Sequence, residues 1–170
     1  MSKISAFLKF AAVGSILLLA ACTDKPKAVE TAPPPNSMSS SATSSIVPGS
    51  AEDLRVNVGD TVHFDYDAYN ITDEGRSVLQ RQAAWLAKYP SVRVTVEGHC
   101  DERGTREYNL ALGARRANSV KEFLVAQGVA AGRLETVSYG KERPICTESN
   151  EDCWAQNRRG VSVITGGANS

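Results

Sequence analysis

The amino-acid sequence has no excess of charge of either sign, because 19 Lys and Arg residues balance 19 Asp and Glu residues. Nucleic-acid-binding domains usually carry a basic face, so this balance argues against a nucleic-acid partner. The chain has only two histidines, His63 and His99, and no C-x-x-C pair, which leaves few ligands for a zinc site. It also lacks an internal repeat. These absences disfavour metal-binding, nucleic-acid-binding and repeat proteins.

An apolar run of about 20 residues, the length that spans a bilayer, is absent too. The apolar stretch that follows Lys3 contains Lys9 and ends at Leu19-Ala20-Ala21-Cys22. A basic start, a short apolar stretch and small residues before a cut predict a secretory signal peptide over residues 1–21; an uncleaved anchor helix is the alternative. The last four residues resemble a bacterial lipobox. The resemblance implies that Cys22 becomes the lipidated N-terminus, whose several acyl chains give stable anchoring.

Residues 22–53 are rich in proline, serine and threonine and poor in apolar side chains, which predicts a disordered tether. Thr23, where the sorting rule of such lipoproteins would place Asp for the inner membrane, favours the outer membrane. Residues 54–170 are enough for one hydrophobic core and too few for two. The sequence therefore predicts one folded domain, held away from a lipid surface by a tether of about 30 residues.

Hydrophobic periodicity divides this domain into alternating strands and helices. Strands are predicted over 55–69, with a turn at Gly59-Asp60, and over 91–98, 134–140 and 157–165. Helices are predicted over 73–88, capped by Thr72, and over 107–127, stopped by Gly128. The order β-α-β-α-β-loop-β favours an α+β fold. We expect a two-layer βαβαββ domain, in which a mixed sheet has both helices packed on one face.

If Cys22 carries lipid, three cysteines remain in an oxidising compartment. Cys146 and Cys153 flank the short polar loop TESNED and are predicted to form a disulfide. Closing so short a loop is worth roughly 2.5 kcal/mol in the chain-entropy description. Cys100 is then unpaired, and is either buried or reactive.

The stretch VEGHCDERG, from Val96 to Gly104, concentrates His, Cys, Asp, Glu and Arg in consecutive positions. A metal site is disfavoured because adjacent residues rarely wrap one ion. A Cys100–His99 dyad is disfavoured because nucleophile and base normally meet through the fold. Asp101 and Glu102 would diverge at a strand end, so they do not suit glycoside hydrolysis. We therefore predict no metal, no cofactor and no catalytic centre.

Arg116 falls inside the apolar arc of the second predicted helix, between Leu112, Val120 and Phe123. A guanidinium that faces a core cannot lose its proton and become neutral, so it needs a polar partner or a path to the surface. Three interpretations are open: a side chain that extends to solvent, an internal ion pair, or an arginine that lines a polar pocket at the sheet edge. Asp101 is the nearest plausible carboxylate, because the preceding strand ends where this helix begins.

The segment VEGHCDERGTREYNLALGARRANSVKEFL, together with VSYGKERP and NRR, resembles the OmpA-like peptidoglycan-binding domain, and more narrowly the peptidoglycan-associated lipoproteins. The resemblance runs from about Val62 to Ile164. It implies that Asp101 and Arg116 clamp the zwitterionic end of diaminopimelate in the cell-wall stem peptide. It also implies further binding residues: Asn109, Arg103, Leu112, Arg115, Tyr66 and Asp65.

The same resemblance implies a protein partner, the periplasmic propeller protein TolB, on a surface that overlaps Glu102, Arg103 and Gly104 and competes with wall binding. The implied function is non-enzymatic. An outer-membrane lipoprotein with a periplasmic domain would link the membrane to peptidoglycan in the Tol-Pal system and support envelope integrity and cell division. The alternatives are a peptidoglycan hydrolase and a structural lipoprotein that no longer binds the wall. The intact Asp101/Arg116 pair argues against the last.

Overall fold

The computed structural model describes residues 46–170. The predicted signal peptide, the predicted lipidation site Cys22 and most of the predicted tether lie outside these residues. The elements in chain order are α1 (Ala51–Asp53) with a π-helical turn (Leu54–Val58), β1 (Thr61–His63), α2 (Asp73–Lys88), β2 (Arg93–His99), α3 (Arg106–Ala126), a 3-10 turn (Ala131–Arg133), β3 (Leu134–Gly140), α4 (Glu151–Asn157) and β4 (Arg159–Gly166). Within the described range, no helix is long and apolar enough to cross a membrane.

The ends of the two long helices follow local sequence signals. Helix α2 begins after Thr72, whose side chain accepts a hydrogen bond from the Gly75 amide. Helix α3 begins after Thr105, which accepts in the same way from the Tyr108 amide. Gly128, two residues past the end of α3, has a φ of +96°, a left-handed conformation that favours glycine. Both predicted helices are confirmed to within one residue at each end.

The four strands form one mixed sheet in the order β1-β4-β2-β3. Strand β4 is antiparallel to β1 and β2, its two neighbours, whereas β2 and β3 are parallel. Parallel neighbours require a crossover, and α3 supplies it between β2 and β3. The last strand of the chain therefore inserts between the first two, which brings the residues just before it next to the end of β2.

One hydrophobic core lies between the sheet and the two long helices. Val94 and Val96 alternate along β2, so they lie on the same face of the sheet, and both are buried. The same core contains Leu86 from α2 and Leu124 from α3. The predicted α+β fold, with a mixed sheet and both helices on one face, is confirmed.

The predicted first strand, over residues 55–69, is confirmed only at Thr61–His63 and is wrong on either side of it. Residues Leu54–Val58 form a π-helical turn instead, and Val56 is 50% exposed. The reason is the Asp53 carboxylate, which accepts hydrogen bonds from the Gly49 amide and from the Trp85 indole at 2.7 and 2.9 Å. The bond from α2 is a tertiary contact that overrides the alternating pattern of valines.

The predicted loop between the last two strands contains a helix that sequence analysis missed. Helix α4 begins after Asn150, whose side chain accepts a hydrogen bond from the Cys153 amide at 2.9 Å. A disulfide joins Cys146 to Cys153, with 5.2 Å between the Cα atoms. Asn157 at the end of α4 holds the same segment. Its side chain accepts a hydrogen bond from the backbone amide of Cys146 and donates one to the carbonyl of Cys146. The helix is short, and its position depends on these connections.

Candidate functional site

A cleft of about 400 Å³ opens where the β2–α3 loop, the first turns of α3 and the loop after β1 meet. Seven of the residues predicted to bind the wall or a partner line it: Tyr66, Asp101, Arg103, Gly104, Asn109, Leu112 and Arg116. Four others complete the lining: Asp67, Cys100, Thr105 and Tyr108. The cleft lies at the carboxyl end of β2.

Asp101 is only 5% exposed and accepts hydrogen bonds from two arginines. The Arg103 backbone amide and Nε donate to Oδ1 at 3.1 and 3.2 Å, and Arg103 Nη2 donates to Oδ2 at 2.6 Å. Arg158 Nη1 lies 3.5 Å from Oδ2. Burial raises the pKa of this carboxyl, but the bonds from Arg103 and Arg158 outweigh burial and hold the pKa below its usual value. Asp101 is therefore a buried, ionised acceptor at the cleft wall.

Arg116 is completely buried, which is contrary to the interpretation that its side chain extends to solvent. Its partners are three backbone carbonyls: Nε donates to Ala68 at 2.7 Å, Nη1 to His99 at 2.9 Å and Nη2 to Asp65 at 3.1 Å. Burial lowers the pKa of this guanidinium, yet an arginine keeps its charge in proteins. Through these bonds Arg116 connects the loop after β1 to the end of β2. It lines the cleft and makes no direct ion pair with Asp101 in the described structure.

Asn109 shapes the loop that carries these groups. Its buried side-chain amide donates to the carbonyls of Arg103 at 2.7 Å and Thr105 at 3.0 Å. These bonds close the β2–α3 loop against the first turn of α3. The amide nitrogen thus fixes the backbone on either side of Gly104, which has a φ of +87°.

Three predicted site residues lie elsewhere. The carbonyl of Asp65 accepts from Arg116, but its side chain lines a separate surface depression with His63. Arg115 lies on the neighbouring face of α3, with its guanidinium 5.5 Å from the centre of the Tyr69 ring. The exposed Glu102 faces α4 and accepts a hydrogen bond from the Trp154 indole at 3.0 Å.

Sequence analysis missed Arg158 as a partner of Asp101. The side chain of Arg158 is buried between three oxygen acceptors: Asp101, the carbonyl of Phe64 at 3.0 Å and Glu151 at 2.6 Å. Both arginines of the tripeptide NRR are buried, which strand alternation alone does not predict. Nothing in the local sequence identifies Asp101 as the partner, because the two residues are 57 positions apart.

A tyrosine–aspartate pair closes another side of the cleft and was also missed. The Tyr108 hydroxyl donates a hydrogen bond to Asp67, which raises the pKa of the tyrosine. Asp67 has a φ of +53°, a left-handed conformation that aspartate tolerates better than most residues. The pair joins the loop after β1 to the start of α3.

The residues suspected of metal binding or catalysis have other surroundings. The Cys100 thiol is buried and donates to the Asn109 carbonyl at 3.3 Å, and burial raises its pKa, so it is not an activated thiolate. His99 is also buried, and neither ring nitrogen has a hydrogen-bond partner. Across residues 46–170 no group of three or more His, Cys, Asp or Glu side chains is arranged to hold a metal ion.

The arrangement suits a small zwitterion. Asp101 offers carboxylate oxygens, and a guanidinium has five N–H donors, of which Arg116 uses three for backbone carbonyls. An ammonium group and a carboxylate group on one ligand can therefore meet complementary charges within one cleft.

The OmpA family model matches residues 63–158, which include the whole cleft. The peptidoglycan-associated lipoprotein of Agrobacterium fabrum is 49% identical over 150 residues, which cover 88% of this chain and 83% of that protein. The protein of the same name from Pseudomonas aeruginosa is 50% identical over 119 residues, 69% of this chain and 70% of the relative.

Solved structures agree with these relatives. The crystal structure of the peptidoglycan-associated lipoprotein from Burkholderia pseudomallei superposes with a TM-score of 0.61 at 42% identity, over 62% of this chain and 90% of that one. The C-terminal domain of Helicobacter pylori MotB gives 0.59 at 25% identity, over 63% and 84%. With the motif, the fold and these similarities in agreement, the chain belongs to the OmpA family and, within it, to the peptidoglycan-associated lipoproteins.

Proposed function

We propose that this chain is a non-enzymatic outer-membrane lipoprotein whose folded domain binds peptidoglycan noncovalently. Asp101 accepts the ammonium, and Arg116 donates to the carboxylate, at the zwitterionic end of diaminopimelate in the stem peptide. The observation that carries this proposal is that both side chains line the same cleft. The name shared by the relatives, peptidoglycan-associated lipoprotein, supports peptidoglycan as the binding partner.

The ligand ammonium must exchange with a group that already bonds Asp101. A carboxylate has about four lone-pair positions, and the bonds from Arg103 and Arg158 occupy them. The side chain of Arg103 is 30% exposed, whereas that of Arg158 is 7% exposed. Arg103 is therefore the partner that yields one N–H bond. The exposed Arg115 and the side chain of Asp65 lie outside the cleft lining and contribute less.

Asp101→Asn tests the proposal with little change of shape. We expect it to weaken retention on purified sacculi by about tenfold or more, because a neutral amide cannot balance an ammonium group. Asp73→Asn, which removes an equal charge from an exposed carboxylate on α2, is the matched control and should bind normally. Free diaminopimelate should compete with sacculi for the unmodified protein.

Normal retention of a folded Asp101→Asn protein would overturn the clamp. Arg116→Ala is the weaker test, because it leaves three buried carbonyls without a donor and endangers the fold. Circular dichroism and the unfolding midpoint of Asp101→Asn separate loss of binding from loss of structure.

The proposal extends to the Tol-Pal system, in which TolB contacts Glu102, Arg103 and Gly104 and the protein supports envelope integrity and cell division. Arg103 and Gly104 line the cleft, and Glu102 lies beside it, so a partner on this loop competes with the wall. TolB added to the sacculus assay should therefore reduce retention.

A further inference from the structure

The guanidinium of Arg103 contacts two aromatic rings while it bonds Asp101. Its central carbon is 4.2 Å from the centre of the Tyr66 ring and 4.0 Å from that of the Trp154 ring. A cation above a ring face is attracted electrostatically, and tryptophan gives the strongest such contact. The two rings therefore hold the planar guanidinium in the orientation from which Nε and Nη2 reach both oxygens of Asp101.

The Trp154 ring is itself fixed from several sides. Its indole N–H donates to Glu102 at 3.0 Å, which sets the rotation of the ring. Trp154 follows directly after Cys153, whose disulfide to Cys146 anchors the first turn of α4. Across the same helix, the Glu151 carboxylate lies 3.9 Å from Arg103. The Cys146–Cys153 disulfide is thus connected to the cleft through the side chain of Trp154.

We propose that Trp154 is a positioning residue for the cleft: with Tyr66 it holds Arg103 against Asp101, and the Cys146–Cys153 disulfide holds Trp154 in place. The ligand class served is an ammonium-bearing zwitterion, so this inference rests on the proposed function. Neither Trp154 nor the disulfide lines the cleft, and both act through Arg103.

The charge on Asp101 depends on Arg103. The bonds from this arginine outweigh the burial that opposes ionisation of the carboxyl. Without Trp154, the partly exposed guanidinium exchanges into water, and Asp101 loses donors. The other groups that face or influence Asp101 are Arg158, Arg116, the Cys100 thiol and Glu102, with Glu151 paired to Arg158.

An NMR titration of the Asp101 side-chain carboxyl tests the positioning role without any ligand. We expect Trp154→Ala to raise the titration midpoint by about half a unit, the usual strength of an exposed cation–π contact expressed as a pKa shift. Trp154→Phe keeps a ring and should retain most of the unmodified value. Gln156→Ala, on an exposed position of the same helix, is the matched control and should not move the midpoint.

A second pair of measurements separates positioning from general loosening. Arg103→Gln should raise the Asp101 midpoint further than Trp154→Ala does, and adding Trp154→Ala to it should have no further effect. Reduction of the disulfide should raise the midpoint in the unmodified protein and leave it unchanged in Trp154→Ala. Equal midpoints in the unmodified protein and Trp154→Ala, or additive shifts in the double variant, would overturn the inference.

Retention on sacculi as a function of pH supplies the binding readout. Ligand binding needs an ionised Asp101. The lowest pH at which the protein is still retained should therefore be higher for Trp154→Ala, by the same shift as the NMR midpoint. An unchanged lowest pH of retention in that variant overturns the role in binding. If the unmodified protein fails to bind sacculi at any pH, the proposed function falls, while the NMR titration still decides whether Trp154 positions Arg103.

Discussion

At the residue scale, two buried ionisable side chains have opposite kinds of surroundings. Arg116 is surrounded by carbonyl oxygens that satisfy its donors and fix its direction. His99, whose own carbonyl is one of these acceptors, has a buried ring with both nitrogens unpartnered. Burial of a polar group without partners costs free energy, and protonation of such a ring costs more. The arginine is held in its charged form, and the histidine is held in its neutral form.

Burial, with smaller effects of Arg159 and Arg143, lowers the pKa of His99 from 6.5 to about 4. The Glu97 carboxylate lies 3.4 Å from Nε2 and would raise this pKa, but the effects of burial and of the two arginines are larger. Between these two pH values the unfolded chain binds more protons than the native state. The free energy of unfolding should therefore fall as pH drops from about 6.5 to about 4, with a slope of at most about 1.4 kcal/mol per pH unit.

His99→Phe tests this dependence, because it keeps a ring beside Tyr139, whose own ring lies 5.5 Å away, and removes the titrating group. Urea unfolding at pH 7 and pH 5 should show a smaller loss of stability for this variant than for the unmodified protein. The same substitution at the exposed His63, the other histidine of the chain, is the control. A pH difference that persists in full in His99→Phe would contradict the assignment.

At the element scale, α3 and β2 approach each other through two glycines. A Cβ atom added to Gly98 would lie 1.8 Å from the carbonyl oxygen of Gly113, and one added to Gly113 would lie 2.4 Å from the Ser138 hydroxyl. Only the absence of side chains lets helix and strand pack so closely. This contact sets the height of α3 above the sheet, and α3 carries Asn109, Leu112 and Arg116 toward the cleft.

Gly98→Ala should lower the free energy of unfolding by about 3 kcal/mol or more, because its methyl group would overlap backbone atoms that cannot move aside. Gly132→Ala is the control, since a Cβ at Gly132 meets nothing within 4 Å. Chemical denaturation of the two variants measures the difference. Equal stabilities would show that α3 can shift away from β2.

At the scale of the whole molecule, the cleft and the first described residues of the domain lie at opposite ends of the sheet. The side-chain amide of Asn169 donates to the Pro48 carbonyl at 2.6 Å, and its backbone amide donates to Gly49, which places the start of the domain beside the C-terminus. Ser91, just before β2, donates to the Gly167 carbonyl at 2.9 Å, so the first described residues and the C-terminus lie near the beginning of that strand. The cleft lies at its other end, about 20 Å away.

The lipid anchor proposed at Cys22 is tested by substitution of that residue. Cys22→Ser should release the protein from outer-membrane lipid, since acyl chains cannot attach to a serine in this position and the proposed wall binding does not hold the protein in the bilayer. Fractionation of cells that express each form, with Cys100→Ser as a control for loss of an unrelated cysteine, measures the effect. An unchanged membrane location for Cys22→Ser would contradict the anchor.

Local patterns predicted some elements well because their causes are local. The Thr72 cap, the glycine after α3 and helical periodicity all lie in or next to the helices that they predicted, and period-two alternation is contained within β2. The turn at Leu54–Val58 and helix α4 were missed for the opposite reason. Asp53 depends on an indole 32 positions away, and α4 depends on a disulfide and on Asn157.

The sequence by itself determined the type of fold, the position of Arg116 in the apolar arc of α3 and the family motif that contains Asp101 and Arg116. Tertiary structure alone decided which groups bond them. Insertion of β4 between β1 and β2 brings Arg158 to Asp101, and the disulfide-closed segment brings Trp154 over Arg103. Periodicity reports which side of an element is buried, whereas partners from distant parts of the chain are set by strand order and packing.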